Sequence, residues 1–437
     1  MFNKKYAEEY ISLVKKDREK YYKDYLKLLD DVAHSNAIYK EKPVPVTYQG
    51  LFYDQADRES FSHLSSVLMN ITQKVTKEYL KNPEYRKLFG FSKELEELIL
   101  HDPGYDITVP IARYDVFYNG PDKFKFIEFN TDGSSAMNKD NTVGDILIDT
   151  LAMKEFRKKY DIECVDMFHP WIEESTKIYE QIHNRKPNIA IVDFLDIGAT
   201  YEFKKFRQLF IEAGYNCEMF DIRDLTYRDG KLMGDNFEID MVYRRAVTVE
   251  YMKHYSEMKE FTNAYMDNAF MMIGSFRSQI MHTKLIFKIL LDPFTQNILT
   301  DYENKFLEEH IPFTDYFSQD VYAEVLNNKD EYIIKPVDDY ASHGVYAGRG
   351  FSVKEWKKLL DEALVSDYIY QKYYEMDPLP FLEFDDSGEI SVGGFTAVLG
   401  MFIYNGKFIA PYTRIGQNSI VGGADKHYVA PNMFIKN

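Results

Sequence analysis

Residues 112–136 read ARYDVFYNGPDKFKFIEFNTDGSSA, and this stretch decides how the rest of the chain is interpreted. Apolar and polar side chains alternate on both sides of NGPD, which predicts two antiparallel strands joined by a tight turn. Side chains two apart on a strand share a face, so Arg113 and Asp115 point together, as do Glu128 and Asn130. A turn of two or of four residues gives the same cross-strand parity, and all four side chains are then expected on one face.

The shared face raises a question of charge, because two carboxylates and a carboxamide so close together repel unless something lies between them. Mg²⁺ prefers hard oxygen ligands, and Asp115, Glu128 and Asn130 offer them. Arg113 beside them could neutralise a transferring phosphoryl group. From the hairpin alone, two other interpretations stay open: a solvated sheet face with a cross-strand Arg–Glu pair, and a glycosidase-like pair of carboxylates.

Two lysines in the second half of the chain favour a phosphate ligand. In EYIIKPVDDYASHGV (331–345), Lys335 ends an apolar strand and precedes a loop that finishes on Gly344. A lysine in a buried strand is costly unless its charge is used, and a point charge beside a mobile loop suits a triphosphate. Lys284, expected on the helix before Pro293, could be a second phosphate contact or an ordinary exposed helix lysine.

Two later segments fit the same kind of ligand without demanding it. The stretch YIYQKYY (368–374) offers alternating side chains and an edge of backbone amides suitable for an adenine, or it is a plain strand. Arg414 comes late on a long hairpin around Asn405 and Gly406, where it could reach a γ-phosphate or lie on the surface.

Composition limits the classes of partner. The chain has 437 residues and a formal net charge of -17, which argues against a nucleic-acid partner because phosphate backbones need a basic face. Only two cysteines occur, which suits a reduced, cytoplasmic protein. The charged N-terminal stretch holds no signal-peptide core, and no apolar run is long enough to cross a membrane, so no membrane partner is expected.

The pattern of helices and strands expected along the chain changes twice, which predicts three parts. Residues 1–185 combine a helical N-terminal segment, with helix expected over 5–35, and the hairpin. Residues 186–275 alternate strand, helix and strand (NIAIVDF, YEFKKFRQLFIEAG, NCEMFDI, IDMVYRR) like a Rossmann-like unit, but without GxGxxG. Residues 276–437 carry the lysine, adenine and arginine segments.

These motifs, in this order, resemble the ATP-grasp carboxylate–amine ligases of the glutathionylspermidine synthetase type, including circularly permuted relatives. In that family an Arg-x-Asp strand precedes a Glu-x-Asn strand, as RYD and EFN do here. KPVDDYASHGV, KLIFKILLDP, IYQKY, TRIG and NTDGSS are similar to further family segments. The resemblance covers roughly residues 100 to 430.

The resemblance implies a role for each matched residue. Mg²⁺ would be bound by Asp115, Glu128 and Asn130; phosphoryl transfer would be assisted by Arg113 and Arg414; ATP would be contacted by Lys284, Lys335, Gly344, Gln371 and Tyr373; and the carboxylate substrate would be held by Ser134 and Ser135. The implied fold class is α/β (α+β), an ATP-grasp fold with a Rossmann-like pre-ATP-grasp domain at 186–275 and an N-terminal helical segment. No catalytic Cys–His pair is visible, so an amidase activity is not implied.

The implied activity joins a small-molecule carboxylate to an amine through an acyl phosphate, with ATP and Mg²⁺ as cofactors. Arg244 and Arg245 permit, without demanding, an anionic peptide-like acid. The loop 335–345 and the hairpin at 405 are expected to act as lids that exclude water. Asp115→Ala and Glu128→Ala are both expected to abolish turnover and leave the fold intact. A non-catalytic nucleotide-binding protein or a phosphotransferase of the same fold remains an alternative.

Overall fold

The computed structural model describes residues 4–39, 41–197, 200–337, 344–418, 420–421 and 427–436. Its α-helices span Lys4–Lys15, Arg18–Ala33, Gln55–Lys81, Pro83–Arg86, Lys93–Leu100, Met137–Leu147, Leu151–Phe156, Phe168–His183, Thr200–Glu212, Thr248–Lys253, Lys259–Met266, Gln279–His282, Ile286–Leu290, Pro293–Gln296, Asp301–His310, Gln319–Asn327 and Val353–Ala363. Among the described residues, no helix is both long and apolar enough to span a bilayer.

Capping chemistry sets several helix ends. The helical character expected over 5–35 is confirmed, and the segment divides into two helices because Asp17 accepts a hydrogen bond from the amide of Lys20 and starts the second helix at Arg18. Capping boxes begin the helices at Gln55, Asp301 and Val353, in each case with a side chain three residues into the helix bonding back to the cap.

The largest sheet joins the hairpin to the C-terminal part of the chain. Its strands lie in the order Tyr428–Val429, Lys407–Gly416, Ile390–Tyr404, Ile111–Tyr118 and Phe124–Asn130, and Leu379–Phe384 also pairs with Ile390–Tyr404. Segments nearly 300 residues apart in sequence are thereby neighbours, and one strand, Ile390–Tyr404, separates the TRIG strand from the RYD strand.

The turn of the hairpin differs from the expected one. The strands Ile111–Tyr118 and Phe124–Asn130 leave residues 119–123 between them, so the expected loop of two or four residues is wrong. A regular ladder continued from this turn would place Glu128 opposite Tyr114, on the core face.

A β-bulge at Ile127 restores the expected face. The extra residue lets Phe126 and Phe129, which are three apart, both pack in the same hydrophobic core. The prediction of a shared face is therefore confirmed, and the directly opposed pairs are Asp115 with Glu128 and Arg113 with Asn130.

A four-stranded antiparallel sheet carries the lysine strand. Its order is Thr314–Tyr316, Tyr368–Lys372, Tyr332–Pro336 and Tyr346–Ala347, and a separate small core that includes Trp356 supports it. Tyr368–Lys372 pairs on both sides, so the expected edge of available amides along this strand is wrong.

The Rossmann-like unit is confirmed as a parallel sheet in the order Met271–Ile273, Met241–Arg244, Asn188–Asp193 and Asn216–Asp221. Alternate side chains of Asn188–Asp193 enter two different cores, as is typical of a parallel sheet covered on both faces. The remaining described strands, in three-stranded and two-stranded sheets, are Thr226–Arg228, Lys231–Gly234 and Phe237–Ile239; Leu51–Tyr53, Asn432–Lys436 and Asp161–Cys164; and Ile38–Tyr39 with Lys42–Pro43.

Candidate functional site

A cleft of about 760 Å³, part of it open to solvent, lies between the hairpin face and the lysine-bearing sheet. We call it the central cleft. Its size is within the usual range for small-molecule sites. Of the residues predicted from sequence, those that line it are Asp115, Glu128, Lys284, Lys335, Gln371, Tyr373 and Arg414.

Asp115 lies at the centre of a buried ion triad. Arg113 donates from Nε to Oδ1 (2.8 Å) and from Nη2 to Oδ2 (3.2 Å), and Arg414 donates from Nη2 to Oδ2 (2.6 Å). Burial alone would raise the pKa of Asp115, but the two guanidinium groups hold it below its usual value. The carboxylate is therefore ionised and tightly held.

A glycine makes room for this triad. Gly400 lies opposite Asp115 on the neighbouring strand. A Cβ at Gly400 would come within 2.7 Å of Arg113 Cδ and 3.0 Å of Asp115 Oδ1. Since Arg113 is also held by a bond from Nη1 to the carbonyl of Ser135 (3.0 Å), it has little freedom to move aside.

Lys284 faces Glu128 across the cleft but does not lie on a helix, as the sequence had suggested. It occupies the turn between Gln279–His282 and Ile286–Leu290, and its amide donates to the carbonyl of Val337 (3.3 Å). Its Nζ is 3.8 Å from Glu128 Oε1.

Lys335 ends its strand at the floor of the central cleft, as expected. Its ammonium donates to the carbonyl of the bulge residue Ile127 (3.0 Å) and to Oε1 of Gln371 (2.8 Å). Burial lowers the pKa of Lys335 to about 8, against the opposing effect of Glu128. The β-bulge thus orients a carbonyl towards the lysine of the other sheet.

The polar groups of the adenine segment, YIYQKYY (368–374), already form hydrogen bonds within the protein. Gln371 is 2% exposed and uses both ends of its amide, since Nε2 donates to Thr314 Oγ1 (2.8 Å). The backbone amide of Tyr373 donates to the backbone carbonyl of Glu331 (2.8 Å), and the guanidinium of Arg349 lies 4.2 Å from the Tyr373 ring centroid. An adenine contact by Gln371 or Tyr373 therefore stays a prediction, and Gln371 in this structure positions Lys335.

The chemistry of the hairpin face fits Mg²⁺. Asp115 and Glu128 offer carboxylate oxygens at directly opposed positions, and Asn130 offers a carboxamide whose Nδ2 is buried without a hydrogen-bond partner in the described part of the chain. No group of three or more His, Cys, Asp and Glu side chains suited to a metal occurs among the described residues. The expected set contains only two such side chains, so the carboxamide and substrate oxygens would have to complete the coordination.

The loop after the hairpin does not line the central cleft. Ser134 is buried, its hydroxyl donates to the carbonyl of Asn130 (2.6 Å), and its own carbonyl accepts from Arg245. Ser135 contributes its carbonyl to Arg113. The structure thus gives these serines a role in fixing the loop, and the substrate contacts expected of them stay predictions.

Two buried arginines hold this loop from behind. Arg244 pairs with Asp132, and Arg245 donates to Glu202 Oε1 (2.9 Å). Both arginines are 3% exposed. The suggestion that they could receive an anionic acid is therefore wrong, because their charges are already paired inside the protein. Asp132 and Glu202 were not predicted as partners from the sequence; the acidic residue inside NTDGSS was the available signal.

Of the two expected lids, one lies mainly outside the described residues and the other is tied down. Residues 338–343 are not described, while Gly344 has φ +67 and a Cβ there would meet the hydroxyl of Tyr368 at 2.7 Å, so that position requires glycine. At the other hairpin, Asn405 Nδ2 donates to Glu174 Oε2 (2.8 Å) and Lys407 pairs with the same carboxylate. The 405 hairpin is not part of the lining of the central cleft in this structure, and its expected role as a lid stays a prediction.

Comparison with solved structures identifies the fold. A glutathione synthetase-like effector (GSS30) from Globodera pallida, solved without ligand, aligns over 95% of this chain and 97% of its own length with a TM-score of 0.60 and 11% identity. The ATP-grasp fold expected from the resemblance to the glutathionylspermidine synthetase type is thereby confirmed, and the fold is glutathione synthetase-like.

Two enzymes of known structure align over smaller parts and add nothing to the fold assignment. D-alanyl-alanine synthetase A from Vibrio cholerae aligns over 56% of this chain and 72% of its own length, with 11% identity and a TM-score of 0.28. The ATP-grasp ligase PsnB, with its minimal precursor, Mg and ADP, aligns over 57% and 88%, with 13% identity and a TM-score of 0.25. No family model and no curated protein sequence matches the chain.

Proposed function

We propose that this protein is an ATP-dependent carboxylate–amine ligase that forms an amide or peptide bond and releases ADP and phosphate. One observation carries the proposal: four separate segments of the sequence bring opposed carboxylates, two lysines and an arginine to the same cleft. They are Asp115 and Glu128, Lys284 and Lys335, and Arg414. A general ATP-dependent ligase is consistent with the fold, and the C–N bond-forming reaction is the finer proposal.

The charges divide into two groups. Lys335 is bonded to Gln371 of the adenine segment and Lys284 faces Glu128 across the cleft, and both point charges would suit the α- and β-phosphates. Arg414 and Arg113 lie around Asp115, where they would face the transferring γ-phosphoryl group. Asp115, Glu128 and Asn130 would hold Mg²⁺, which when bound neutralises charge on the phosphate oxygens.

The reaction we propose has two steps. A carboxylate oxygen of the acid attacks the γ-phosphorus of ATP, and the bond between that phosphorus and the oxygen that bridges to the β-phosphorus breaks. ADP departs, and the acid is then an acyl phosphate. The amine then attacks the acyl carbon, the C–O bond to phosphate breaks, and the amine loses a proton. Fixed arginines and lysines stabilise the charge that spreads over the transferring group, and a cleft closed to water protects the acyl phosphate.

An ADP-release screen tests this function. The chain is incubated with ATP, Mg²⁺ and pooled amino acids, peptides and polyamines, and ADP, AMP and phosphate are separated by chromatography. We expect ADP and phosphate only when both an acid and an amine are present. Lys335→Met should abolish release, while Lys354→Met, at an exposed helix position, should not change it.

Three outcomes would contradict the proposal. Release of AMP would indicate an adenylate in place of an acyl phosphate. A stable phosphoester in the mass spectrum would indicate a phosphotransferase. Tight ATP binding without turnover across the whole pool would indicate a nucleotide-binding protein.

A further inference from the structure

One peptide group in the loop after the hairpin is held at both of its polar ends. The carbonyl of Ser135 accepts from Nη1 of Arg113 (3.0 Å), and the amide of Ala136, in the same peptide group, donates to Oε2 of Glu202 (3.1 Å). This peptide bond is trans and planar, so its C=O and N–H point in opposite directions. Arg113 and Glu202 therefore lie on opposite sides of the peptide group, and rotating it would break both hydrogen bonds.

The backbone at Ala136 has a conformation that alanine does not favour. Its φ is 92° and its ψ is 9°, in the left-handed region that residues other than glycine rarely adopt. Such a conformation persists only where surrounding contacts enforce it. The side chain of Ala136 packs in a hydrophobic core, and Glu202 Oε2 accepts from the amide of Ala136 and also from that of Asn138 (3.1 Å). Glu202 thus bonds directly to the strained residue.

Glu202 is itself fixed inside the protein. Its side chain is 3% exposed, and its Oε1 accepts from Nη2 of Arg245 (2.9 Å). Arg245 also donates to the carbonyl of Ser134, so two successive carbonyls of the loop accept from arginines. Glu202 lies on Thr200–Glu212 of the Rossmann-like unit, whereas Arg113 lies on the hairpin. The shared peptide group therefore connects two separate parts of the fold.

This connection ends on an arginine that would face the transferring phosphoryl group. Arg113 donates to Asp115 from Nε and Nη2, and to the carbonyl of Ser135 from Nη1. A planar guanidinium bound through three nitrogens has little freedom to turn, so the direction of the Ser135 carbonyl contributes to where its plane lies. The carboxylate of Glu202 also polarises the peptide group, which makes that carbonyl a better acceptor for Arg113.

We propose that Glu202 is a positioning residue: through the peptide group of Ser135 and Ala136, it fixes the guanidinium of Arg113 for phosphoryl transfer. The inference rests on the proposed ligase function and adds a residue that is not part of the lining of the central cleft. Its expected signature is a weaker hold on the transferring group with unchanged ADP affinity.

Glu202→Gln tests this role, because it changes the acceptors and keeps the shape of the side chain. A carboxamide has one acceptor oxygen, and the charged guanidinium of Arg245 is the stronger donor, so the amide of Ala136 should lose its acceptor. ADP affinity is measured by calorimetry with Mg²⁺, first alone and then with aluminium fluoride, which mimics a phosphoryl group in transfer. Glu202→Gln should keep ADP affinity within about twofold and reduce the gain from aluminium fluoride about tenfold, the effect of one hydrogen bond to a charged group. Glu212→Gln, at an exposed position of the same helix, should change neither.

A double variant shows whether the effect passes through Arg113. Arg113→Lys already removes the bond to the Ser135 carbonyl, so adding Glu202→Gln to it should cause no further loss of the aluminium fluoride effect. Ala136→Gly should restore most of that effect in the Glu202→Gln background, because glycine adopts a positive φ without support. Additive losses in the double variant, or no recovery with Ala136→Gly, would overturn the proposal, since a general loosening of the fold would give both results.

Nuclear magnetic resonance gives a readout that does not depend on the reaction. In protein labelled at the arginine side-chain nitrogens, the Nε–H signal of Arg113 is identified by its loss in Arg113→Lys. It should shift in Glu202→Gln and stay in place in Glu212→Gln. An unmoved signal in Glu202→Gln would overturn the positioning role. Failure of the proposed function gives a different result: the signal shifts, but aluminium fluoride adds nothing to ADP binding by the wild type.

Discussion

Asp115→Ala and Glu128→Ala should differ in their effect on the free energy of unfolding, although the two carboxylates of the hairpin face look equivalent in the sequence. The Asp115 side chain is 2% exposed and lies between Arg113 and Arg414, which are 13% and 12% exposed. The Glu128 side chain is 34% exposed, and its nearest cation in the described chain, Lys284, is 3.8 Å away. Both substitutions should abolish turnover, but only Glu128→Ala should leave the stability close to that of the wild type.

The magnitudes follow from burial. Removing one partner from a buried ion pair leaves an uncompensated charge and costs about 3–5 kcal/mol, and here two guanidinium groups lose their acceptor. A long, partly exposed pair contributes about 0–1 kcal/mol. Asp115→Ala should therefore lower the free energy of unfolding by about 3 kcal/mol more than Glu128→Ala.

Urea unfolding measures this difference, because both tryptophans of the chain, Trp171 and Trp356, are fully buried and report on separate cores. The acid limb adds a check on sign. Since the arginines hold the pKa of Asp115 below its usual value, its contribution is complete above about pH 4 and disappears as the pH falls through that lowered value. Asp115→Ala should lose this part of the acid dependence. Equal unfolding midpoints for the two variants would refute the assignment of Asp115 as the charge that holds both arginines.

Three further predictions concern single positions. Protonated Lys335 binds phosphate best, so ADP affinity measured without metal should fall as the pH rises through about 8, and Lys335→Arg should remove that dependence; a flat wild-type profile would contradict it. Gly400→Ala should destabilise the protein by about 1–3 kcal/mol, because the new Cβ would clash with Arg113. Gly144→Ala should stabilise it by about 0.5–1 kcal/mol, because Gly144 lies inside a helix and its Cβ would meet only Pro431, at 3.9 Å. A change of the same sign for both variants would be inconsistent with the packing. Gln371→Leu should weaken ADP binding less than Lys335→Met does in the same titration, because it removes one of two acceptors and leaves the charge, and an equal loss would mean that Gln371 contacts the nucleotide itself.

Residues that carry strong local rules were predictable from sequence. The alternation of apolar and polar residues predicted the hairpin, and the buried apolar runs predicted the parallel sheet. The cleft residues were also found, because a charge at the end of an apolar strand is costly unless a ligand or an ion partner uses it. These predictions needed only spacing and burial cost.

The errors arose where distant parts of the chain compete for the same groups. Arg244 and Arg245 looked available because their partners, Asp132 and Glu202, come from other segments. Tyr368–Lys372 looked like an edge because Thr314–Tyr316 is too short to stand out as a strand. Which side chain meets which cannot be read from local periodicity, since tertiary pairing decides it.

The bulge does have a signal in the local sequence, which is the spacing of the phenylalanines along the strand. Phe124, Phe126 and Phe129 all pack in one core, and a spacing of three between the last two is incompatible with a regular strand. Hydrophobic spacing along a single strand could therefore have indicated one surplus residue near position 127.

That surplus residue couples two regions that share no local sequence. A chain lacking Ile127 would form a regular ribbon and still keep Glu128 opposite Asp115, but Lys335, 208 positions away, would lose one of its two acceptors. Deletion of Ile127 from the hairpin would then change how tightly the sheet that carries Lys335 binds a phosphate ligand. Exchange of this ribbon between homologues therefore has to preserve its length as well as its charged residues.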